Sequence, residues 1–206
     1  MKQIAKDLLS IQAVELSPSK PFTWASGIKS PIYCDNRLTI SYPEIRKHIA
    51  EGISKQIKEN YPEVQVIAGT ATAGIPHAAW VAELLNLPMI YVRSKPKDHG
   101  QGKQIEGILH QNDRVVVIDD LMSTGGSVLK VVDVVQRSGA SVLGVAGIFS
   151  YQLPQLASNF KKADIPYTTI TNYSELIDVA LEQNYIDNNQ REILAQWRQD
   201  PEHWQK

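Results

Sequence analysis

Residues 115–127 constrain the fold more than any other stretch of the chain. Val115, Val116, Val117 and Ile118 form a short apolar β-branched run, which is typical of a strand buried on both faces of a sheet. Two adjacent carboxylates, Asp119 and Asp120, follow directly, and after them come a turn with two glycines and a series of valines at helical spacing. The pattern predicts a strand that ends at an acidic pair, a glycine-rich turn and a helix. In an open parallel sheet this places both aspartates at the edge where ligands bind.

The residue types in this stretch indicate what the edge binds. Backbone N–H groups of a glycine-rich turn that begins a helix form an anion site, and glycines let the ligand approach closely. Carboxylates only accept hydrogen bonds, so Asp119 and Asp120 suit sugar hydroxyls or a hydrated Mg²⁺. A phosphate site beside such carboxylates predicts a ribose-5-phosphate site. Neither a Walker A loop nor a GxGxxG turn fits the sequence, whereas two solvated aspartates and a plain turn remain an alternative.

Composition excludes several broad classes of function. At 206 residues the chain is long enough for one sizeable core, and its formal net charge of −1 provides no broad basic field for nucleic acid or an anionic membrane. No apolar run approaches the length of a membrane span, and residues 1–7 lack the apolar core of a signal peptide. The single cysteine, Cys34, is expected to be a packed apolar residue, and its lack of an intrachain partner fits a reducing cytoplasm.

Hydrophobic periodicity predicts alternating helices and strands. An amphipathic helix is predicted over residues 2–15, and a long helix is predicted after an N-cap at Ser41. Strands are predicted at 64–69, 89–92, 141–149 and 167–170, with helices between them and two helical tracts at the end. The turn at residues 70–76, which is rich in small residues, suits a second anion loop, although a turn chosen only for packing is equally compatible with its composition. This order predicts an α/β fold with a mainly parallel sheet flanked by helices.

Residues 93–103 form a local basic segment in an otherwise balanced chain. They carry four cations and one histidine against one acid, with Pro96, Gly100 and Gly102 favouring a loop. A small polyanionic ligand suits this segment better than nucleic acid, which needs a broader basic surface. A charged loop that is merely solvated is the alternative.

The segment from Val115 to Ser127 resembles the phosphoribosyl pyrophosphate (PRPP) signature of the type I phosphoribosyltransferases. In that family the acidic pair holds the ribose hydroxyls and the following loop surrounds the 5′-phosphate. The resemblance implies that PRPP is bound by Asp119, Asp120, Leu121, Met122, Ser123, Thr124, Gly125, Gly126 and Ser127.

Two other stretches narrow the resemblance to the orotate phosphoribosyltransferases. Phe22-Thr23, Ser26-Gly27 and Ser30-Pro31-Ile32-Tyr33 resemble their small N-terminal hood, and Arg93 with Lys97-Asp98-His99-Gly100 resembles their catalytic loop. The resemblance implies PRPP contacts from Arg93, Lys97 and His99, catalytic roles for Lys97, His99, Asp119 and Asp120, and orotate contacts from Ser123 and Tyr33. Because the family's loop serves the neighbouring subunit, a homodimer with shared sites is implied as well.

The implied reaction converts orotate and PRPP to orotidine 5′-monophosphate and pyrophosphate, on the way to UMP. Mg²⁺ is the implied cofactor, held through PRPP rather than by direct protein ligands, and a cytoplasmic enzyme without nucleic-acid or membrane partners is expected. We expect a single phosphoribosyltransferase domain over residues 1–206, with a hood mainly in 1–40, a core at about 41–170 and C-terminal helices at about 172–200. A PRPP-binding regulator without transferase activity, and a transferase for another nucleobase, remain alternatives.

Several positions depart from the best-known branch of the family. Ala25 and Ala73 stand where that branch has lysines, Ser94 stands where it has a second basic residue, and no arginine lies near residue 150, where that branch contacts the orotate carboxylate. Another branch shares the alanines and the serine. The residues that bind pyrophosphate and base in this chain are therefore left open by the sequence.

Overall fold

The structure is a computed structural model that describes residues 2–24, 27–95 and 104–204. Within these ranges its α-helices are α1 (Lys2–Ser10), α2 (Pro43–Asn60), α3 (Gly74–Leu85), α4 (Gly126–Arg137), α5 (Pro154–Ala163), α6 (Tyr173–Glu182) and α7 (Asn188–Gln199). Its strands are β1 (Val14–Leu16), β2 (Phe22–Thr23), β3 (Lys29–Ser30), β4 (Ile32–Cys34), β5 (Val66–Thr70), β6 (Met89–Val92), β7 (Ile105–Glu106), β8 (Arg114–Met122), β9 (Ser141–Ser150) and β10 (Tyr167–Asn172).

A six-stranded sheet forms the centre of the protein, in the order β10-β9-β8-β5-β6-β7. All neighbouring strands in it are parallel except β6 and β7, which pair antiparallel at one edge. Because successive parallel strands are connected by helices, their carboxyl ends meet along one edge. The predicted α/β fold with a mainly parallel sheet is confirmed.

The apolar run of β8 is buried on both faces of the sheet, as its sequence predicts. Val116 and Ile118 pack in a cluster with residues of α2 and α3, whereas Val115 and Val117 pack in a cluster with residues of α4 and α5. All four side chains are fully buried. Burial of each contributes roughly 1.5–3 kcal/mol relative to exposure, so this strand anchors the sheet between its two helical layers.

The hood consists of two short antiparallel ribbons, one formed by β1 and β4 and the other by β2 and β3. Trp24 of the hood contacts the rings of Tyr151 and Trp197, at centroid distances of 5.1 and 5.6 Å. Trp197 of α7 is fully buried and donates a hydrogen bond from Nε1 to the carbonyl oxygen of Lys29, 3.0 Å away. The last helix therefore fixes the hood in place.

Two predicted helix boundaries were wrong. Helix α1 ends at Ser10 rather than near residue 15, because Gln12 adopts a left-handed backbone conformation (φ 56°) and Val14 pairs with Cys34 in the hood. The predicted N-cap Ser41 lies instead in a 3₁₀ helix, Asn36–Ser41. Helix α2 begins at Pro43, whose missing N–H and fixed φ suit the first position of a helix.

The environment of Cys34 agrees with its expected role as a packed residue. The Cys34 side chain is buried, and burial raises the pKa of its thiol well above the ordinary value, which suits packing rather than nucleophilic attack. Among the described residues, no helix combines the length and the apolar character that crossing a membrane would require.

Candidate active site

The acidic pair lies near the carboxyl end of β8, but the strand does not end there. It continues through Leu121 and Met122, paired with β9, whereas its pairing with β5 stops at Ile118. The prediction that the strand ends at the carboxylates was therefore wrong, because β9 extends beyond β5 and continues to supply backbone partners. Both aspartates lie where β8 has lost its β5 neighbour, which leaves that side to the turn that follows β5.

Hydrogen bonds from the end of β5 and from the 3₁₀ helix Asn36–Ser41 hold the pair. Thr70 donates from Oγ1 to Oδ1 of Asp119 at 2.5 Å, and the backbone N–H of Asp120 donates to the same oxygen at 3.1 Å. Asn36 donates from Nδ2 to the backbone carbonyl oxygen of Asp120 at 2.6 Å. Asp119 is only 7% exposed, and Asp120 is partly buried. Two other segments of the chain thus hold the pair, one through the side chain of Asp119 and the other through the backbone of Asp120.

The environment of the pair disfavours two negative charges. Burial raises the pKa of the Asp119 carboxyl above its ordinary value, although the hydrogen bond from Thr70 opposes this. Burial also raises the pKa of the Asp120 carboxyl, and the adjacent charge of Asp119 raises it further. A positively charged ligand beside the pair would favour the fully ionised form of both groups.

Gly74 explains the small-residue turn after β5. A Cβ atom at this position would lie 2.5 Å from the carbonyl oxygen of Ile118 and still closer to Oγ1 of Thr70. Glycine is therefore needed for α3 to approach the end of β8 while Thr70 reaches Asp119. Packing accounts for this glycine, and the same packing positions the hydroxyl that holds the carboxylate.

The glycine-rich turn leads into α4 without blocking the start of the helix. Gly125 is the N-cap residue, with φ 78°, and no described side chain caps the first N–H groups of α4. Asn159 of α5 donates from Nδ2 to the carbonyl oxygen of Thr124 at 2.9 Å, which fixes the turn. Free N–H groups and the positive end of the helix dipole favour an anion at this point.

Side chains of the signature differ in what they can contact. Met122 is fully buried and Leu121 packs partly buried against the core, so these two residues can offer a ligand mainly their backbone. Ser123 and Thr124 are partly buried, whereas Gly126 and Ser127 are exposed at the start of α4. The hydroxyls therefore remain the side-chain donors of this turn.

One cavity lies between the turn after β5 and α4. Its volume is about 300 Å³, and its wall includes Thr70, Arg93, Asp119, Ser127 and Lys130. Arg93 follows β6, and its backbone N–H donates to the carbonyl oxygen of Gln104 at 2.9 Å. No motif in the sequence marks Lys130, although its position three residues after Ser127 places both on one face of α4.

A second cavity lies on the hood side of the signature turn. Its volume is about 380 Å³, and its described wall includes Trp24, Ile28, Ser123, Gln155 and Gln199. No lysine or arginine is among its described lining residues, and the segment that follows α7 forms part of the wall. Tyr33 is not among these residues either. It is 41% exposed and packs against Phe22, with ring centroids 5.7 Å apart.

Comparison with known proteins decides the family. The model of the phosphoribosyl transferase domain matches residues 41–184. Orotate phosphoribosyltransferase of Enterococcus faecalis is 62% identical over 205 residues, covering 100% of this chain and 98% of the relative. The enzyme of the same name from Lactiplantibacillus plantarum is 62% identical over 201 residues, covering 98% of this chain and 95% of the relative.

The chain belongs to the orotate phosphoribosyltransferase family.

A solved structure agrees with this membership. The UMP synthase of Leishmania donovani superposes with a TM-score of 0.79 at 27% identity, covering 95% of this chain and 42% of that longer chain. The resemblance stated from the signature, the hood and the catalytic-loop pattern is confirmed at the level of the family.

The family's functional positions fall into three groups in this structure. Asp119, Asp120 and the turn from Ser123 to Ser127 lie together at one edge of the sheet, and Arg93 lines the cavity beside them. Tyr33 does not line the described cavity that contains Ser123, so its contact with orotate stays a prediction. Lys97 and His99 lie outside the described residues, as does Ala25.

Proposed function

We propose that this protein transfers the 5-phosphoribosyl group of PRPP to orotate, releasing pyrophosphate and giving orotidine 5′-monophosphate, a step in making UMP. One observation carries the proposal. A carboxylate pair positioned by Thr70 lies beside the uncapped start of α4, in a chain 62% identical over nearly its whole length to orotate phosphoribosyltransferases.

The carboxylates and the turn have separate tasks in this reaction. Asp119 and Asp120 accept hydrogen bonds from the two ribose hydroxyls, while the turn from Ser123 to Ser127 holds the 5′-phosphate with N–H groups and hydroxyls. Positive charge develops on the ribose as its bond to pyrophosphate breaks. Two carboxylates fixed beside the sugar stabilise that charge without needing to reorganise.

The leaving pyrophosphate gains negative charge in the same step. Arg93 lies in the wall of the adjacent cavity and offsets this charge. Lys97 and His99 also offset the charge of the leaving pyrophosphate in this proposal, on the basis of their family pattern. Ser123 contacts the base from the hood-side cavity, where it is part of the wall.

Mg²⁺ is part of the proposal because the family implies it. Among the described residues, no group of three or more His, Cys, Asp or Glu side chains could hold a metal ion by itself. Because Asp119 and Asp120 accept the ribose hydroxyls in this proposal, Mg²⁺ would be held through PRPP and by waters, as an ion that keeps several waters and binds substrate phosphates prefers. Bound in this way with PRPP, Mg²⁺ would neutralise charge on the pyrophosphate oxygens.

A cytoplasmic homodimer with shared active sites completes the proposal. Leu38, Tyr42 and Leu84 are large apolar side chains with 42%, 44% and 50% exposure. Arg46 connects their segments, since it donates to the carbonyl oxygen of Ile40 at 3.0 Å and lies 5.1 Å from the ring centroid of Trp80. We propose that these side chains form part of the dimer contact, since exposed apolar patches are a common mark of protein contact surfaces.

An assay with a panel of bases tests the proposed reaction. Purified protein is incubated with PRPP, Mg²⁺ and orotate, and orotate is followed by absorbance, with adenine, hypoxanthine and uracil supplied in parallel reactions. We expect consumption of orotate alone. Binding of PRPP without consumption of any base would favour a regulator, and consumption of another base in place of orotate would favour a different phosphoribosyltransferase.

A further inference from the structure

Two cations in the cavity beside α4 have no ionic partner among the described residues. Arg93 and Lys130 both line this cavity, and no described carboxylate forms an ion pair with either. The nearest acid on α4, Asp133, is paired with Arg137, whose Nη2 lies 2.6 Å from its carboxylate. Lys130 therefore lines the wall of a cavity without forming an ion pair with any described residue.

Lys130 lies further along α4 than the turn that is proposed to bind the 5′-phosphate. Ser127, Lys130, Val131 and Val134 all line the cavity, at the spacing of a single helix face. Lys130 lies about one turn, or roughly 5 Å, further along the helix axis than the phosphate-binding start of α4. It shares the cavity with Arg93, with Thr70 at the end of β5 and with Ala71 of the turn that follows.

The turn after β5 supplies no positive side chain to an anion bound in this cavity, so any cations must come from other segments. Residues 70–74 read Thr-Ala-Thr-Ala-Gly, so the turn offers hydroxyls and N–H groups but no positive side chain. Among the described lining residues, Asp119 is the one acid against the two cations. A cavity with this balance suits a polyanion, and charge-assisted hydrogen bonds to phosphate are stronger than neutral ones.

We propose that Lys130, together with Arg93, binds the pyrophosphate group of PRPP from the α4 side of the cavity. The inference rests on the proposed function and names a binding residue for it. The ammonium group of lysine, a compact charge on a flexible stem, can follow the pyrophosphate as it leaves the sugar. Helix α4 thus contacts both anionic ends of PRPP, one at its start and one a turn later.

Substitution of Lys130 tests the proposal. Lys130→Ala is compared with Lys130→Gln, with Lys130→Arg and with the control Lys162→Ala, an exposed lysine on α5. We expect Lys130→Ala and Lys130→Gln to weaken inhibition by pyrophosphate roughly tenfold and to raise the KM for PRPP similarly. The KM for orotate and the calorimetric affinity for ribose 5-phosphate should stay at wild-type values. Lys130→Arg should retain most of the pyrophosphate affinity, and Lys162→Ala should match the wild type.

Two results would overturn the assignment of Lys130. Unchanged pyrophosphate inhibition in both neutral variants would show a solvated surface lysine. A parallel loss of ribose 5-phosphate binding would show that Lys130 serves the 5′-phosphate instead. Failure of the proposed function is distinguishable, because a wild-type protein that consumes no orotate can still be titrated calorimetrically with pyrophosphate and with ribose 5-phosphate.

Discussion

Asp119 and Asp120 are neighbours in the chain but are held by different contacts. The side chain of Asp119 accepts hydrogen bonds from Thr70 and from a backbone N–H, whereas Asp120 is fixed through its own carbonyl oxygen by Asn36. Burial and mutual repulsion raise the pKa of Asp120. Such a pair costs the folded protein free energy, which is a common property of functional sites.

Asp120→Asn should therefore stabilise the protein while removing its activity. The folded state keeps a proton on Asp120 to higher pH than the unfolded chain does, so wild-type stability falls as pH rises from about 4, the ordinary Asp value, through the raised pKa. Asparagine does not ionise, so the variant does not lose stability over this pH range. We expect a gain of about 1 kcal/mol or more at neutral pH, seen as roughly 2–4 °C in Tm.

Thermal unfolding of both proteins at several pH values measures this difference. The gap in Tm should widen as pH rises through the window and then stay constant. Asp164→Asn is a matched control, since Asp164 is an exposed residue with φ 53°, a conformation that asparagine also accepts. A lower Tm for Asp120→Asn at neutral pH would contradict the origin assigned to the raised pKa.

The sequence predicted that residues 119–127 lie together at one edge of the sheet, because they are contiguous in the chain. Asp119 to Ser127 form one local pattern, so a strand, a turn and a helix suffice to place them. Lys130 and Gln199 are different, since they reach their cavities through the packing of α4 and α7. Single charged or amide residues on a helix carry no pattern that marks them in advance.

At the scale of elements, the connection from β8 to α4 depends on Gly125. Its backbone has φ 78°, and an added Cβ would lie 2.6 Å from Cε2 of Phe160 and 3.0 Å from Cδ1 of Leu156. The neighbouring Gly126 has open space around it, with Oγ1 of Thr124 at 3.8 Å as the nearest atom to an added Cβ. The two glycines thus form a natural comparison.

Gly125→Ala should destabilise the protein, and Gly126→Ala should not. We expect Gly125→Ala to cost about 2 kcal/mol or more, because a side chain at this φ is strained and also collides with α5. Gly126→Ala should leave the Tm unchanged or slightly higher, since alanine is the better helix former. Calorimetric unfolding measures both. Equal Tm values for the two variants would show that the turn can rearrange and does not fix the start of α4.

Element boundaries were harder to predict than element types. The order of strands and helices followed from periodicity, and β6 was predicted over the same residues that the structure shows. The ends of α1 and β8 were not, because pairing with β4 and with the long strand β9 decides them. Tertiary partners of this kind leave no local trace in the sequence.

At the scale of the whole molecule, the proposed homodimer requires each site to use residues from both subunits. Lys97→Ala and Asp120→Asn should each reduce turnover by roughly 10²–10⁴-fold when tested alone. Mixing the two inactive proteins under conditions of subunit exchange should restore roughly a quarter of wild-type activity, because half the dimers would then contain one intact site. Sedimentation of the mixture gives the oligomeric state in the same experiment.

The mixing experiment would give no activity if the active sites were not shared between subunits. If Lys97 acts in its own subunit, the mixed dimers contain no intact site and the mixture stays inactive. A monomeric sedimentation profile for the wild type would equally contradict the shared-site proposal. Neither result would affect the assignment of Asp119 and Asp120, which lie on one strand of one chain.

The most direct test of the central claim measures both products of the reaction in one sample. Wild-type protein is incubated with PRPP, Mg²⁺ and orotate, and the orotate lost and the pyrophosphate formed are quantified together, beside the Asp120→Asn variant. We expect equal amounts of lost orotate and formed pyrophosphate in the wild type and almost none of either in the variant. Pyrophosphate release without loss of orotate, or equal turnover in the variant, would contradict this expectation.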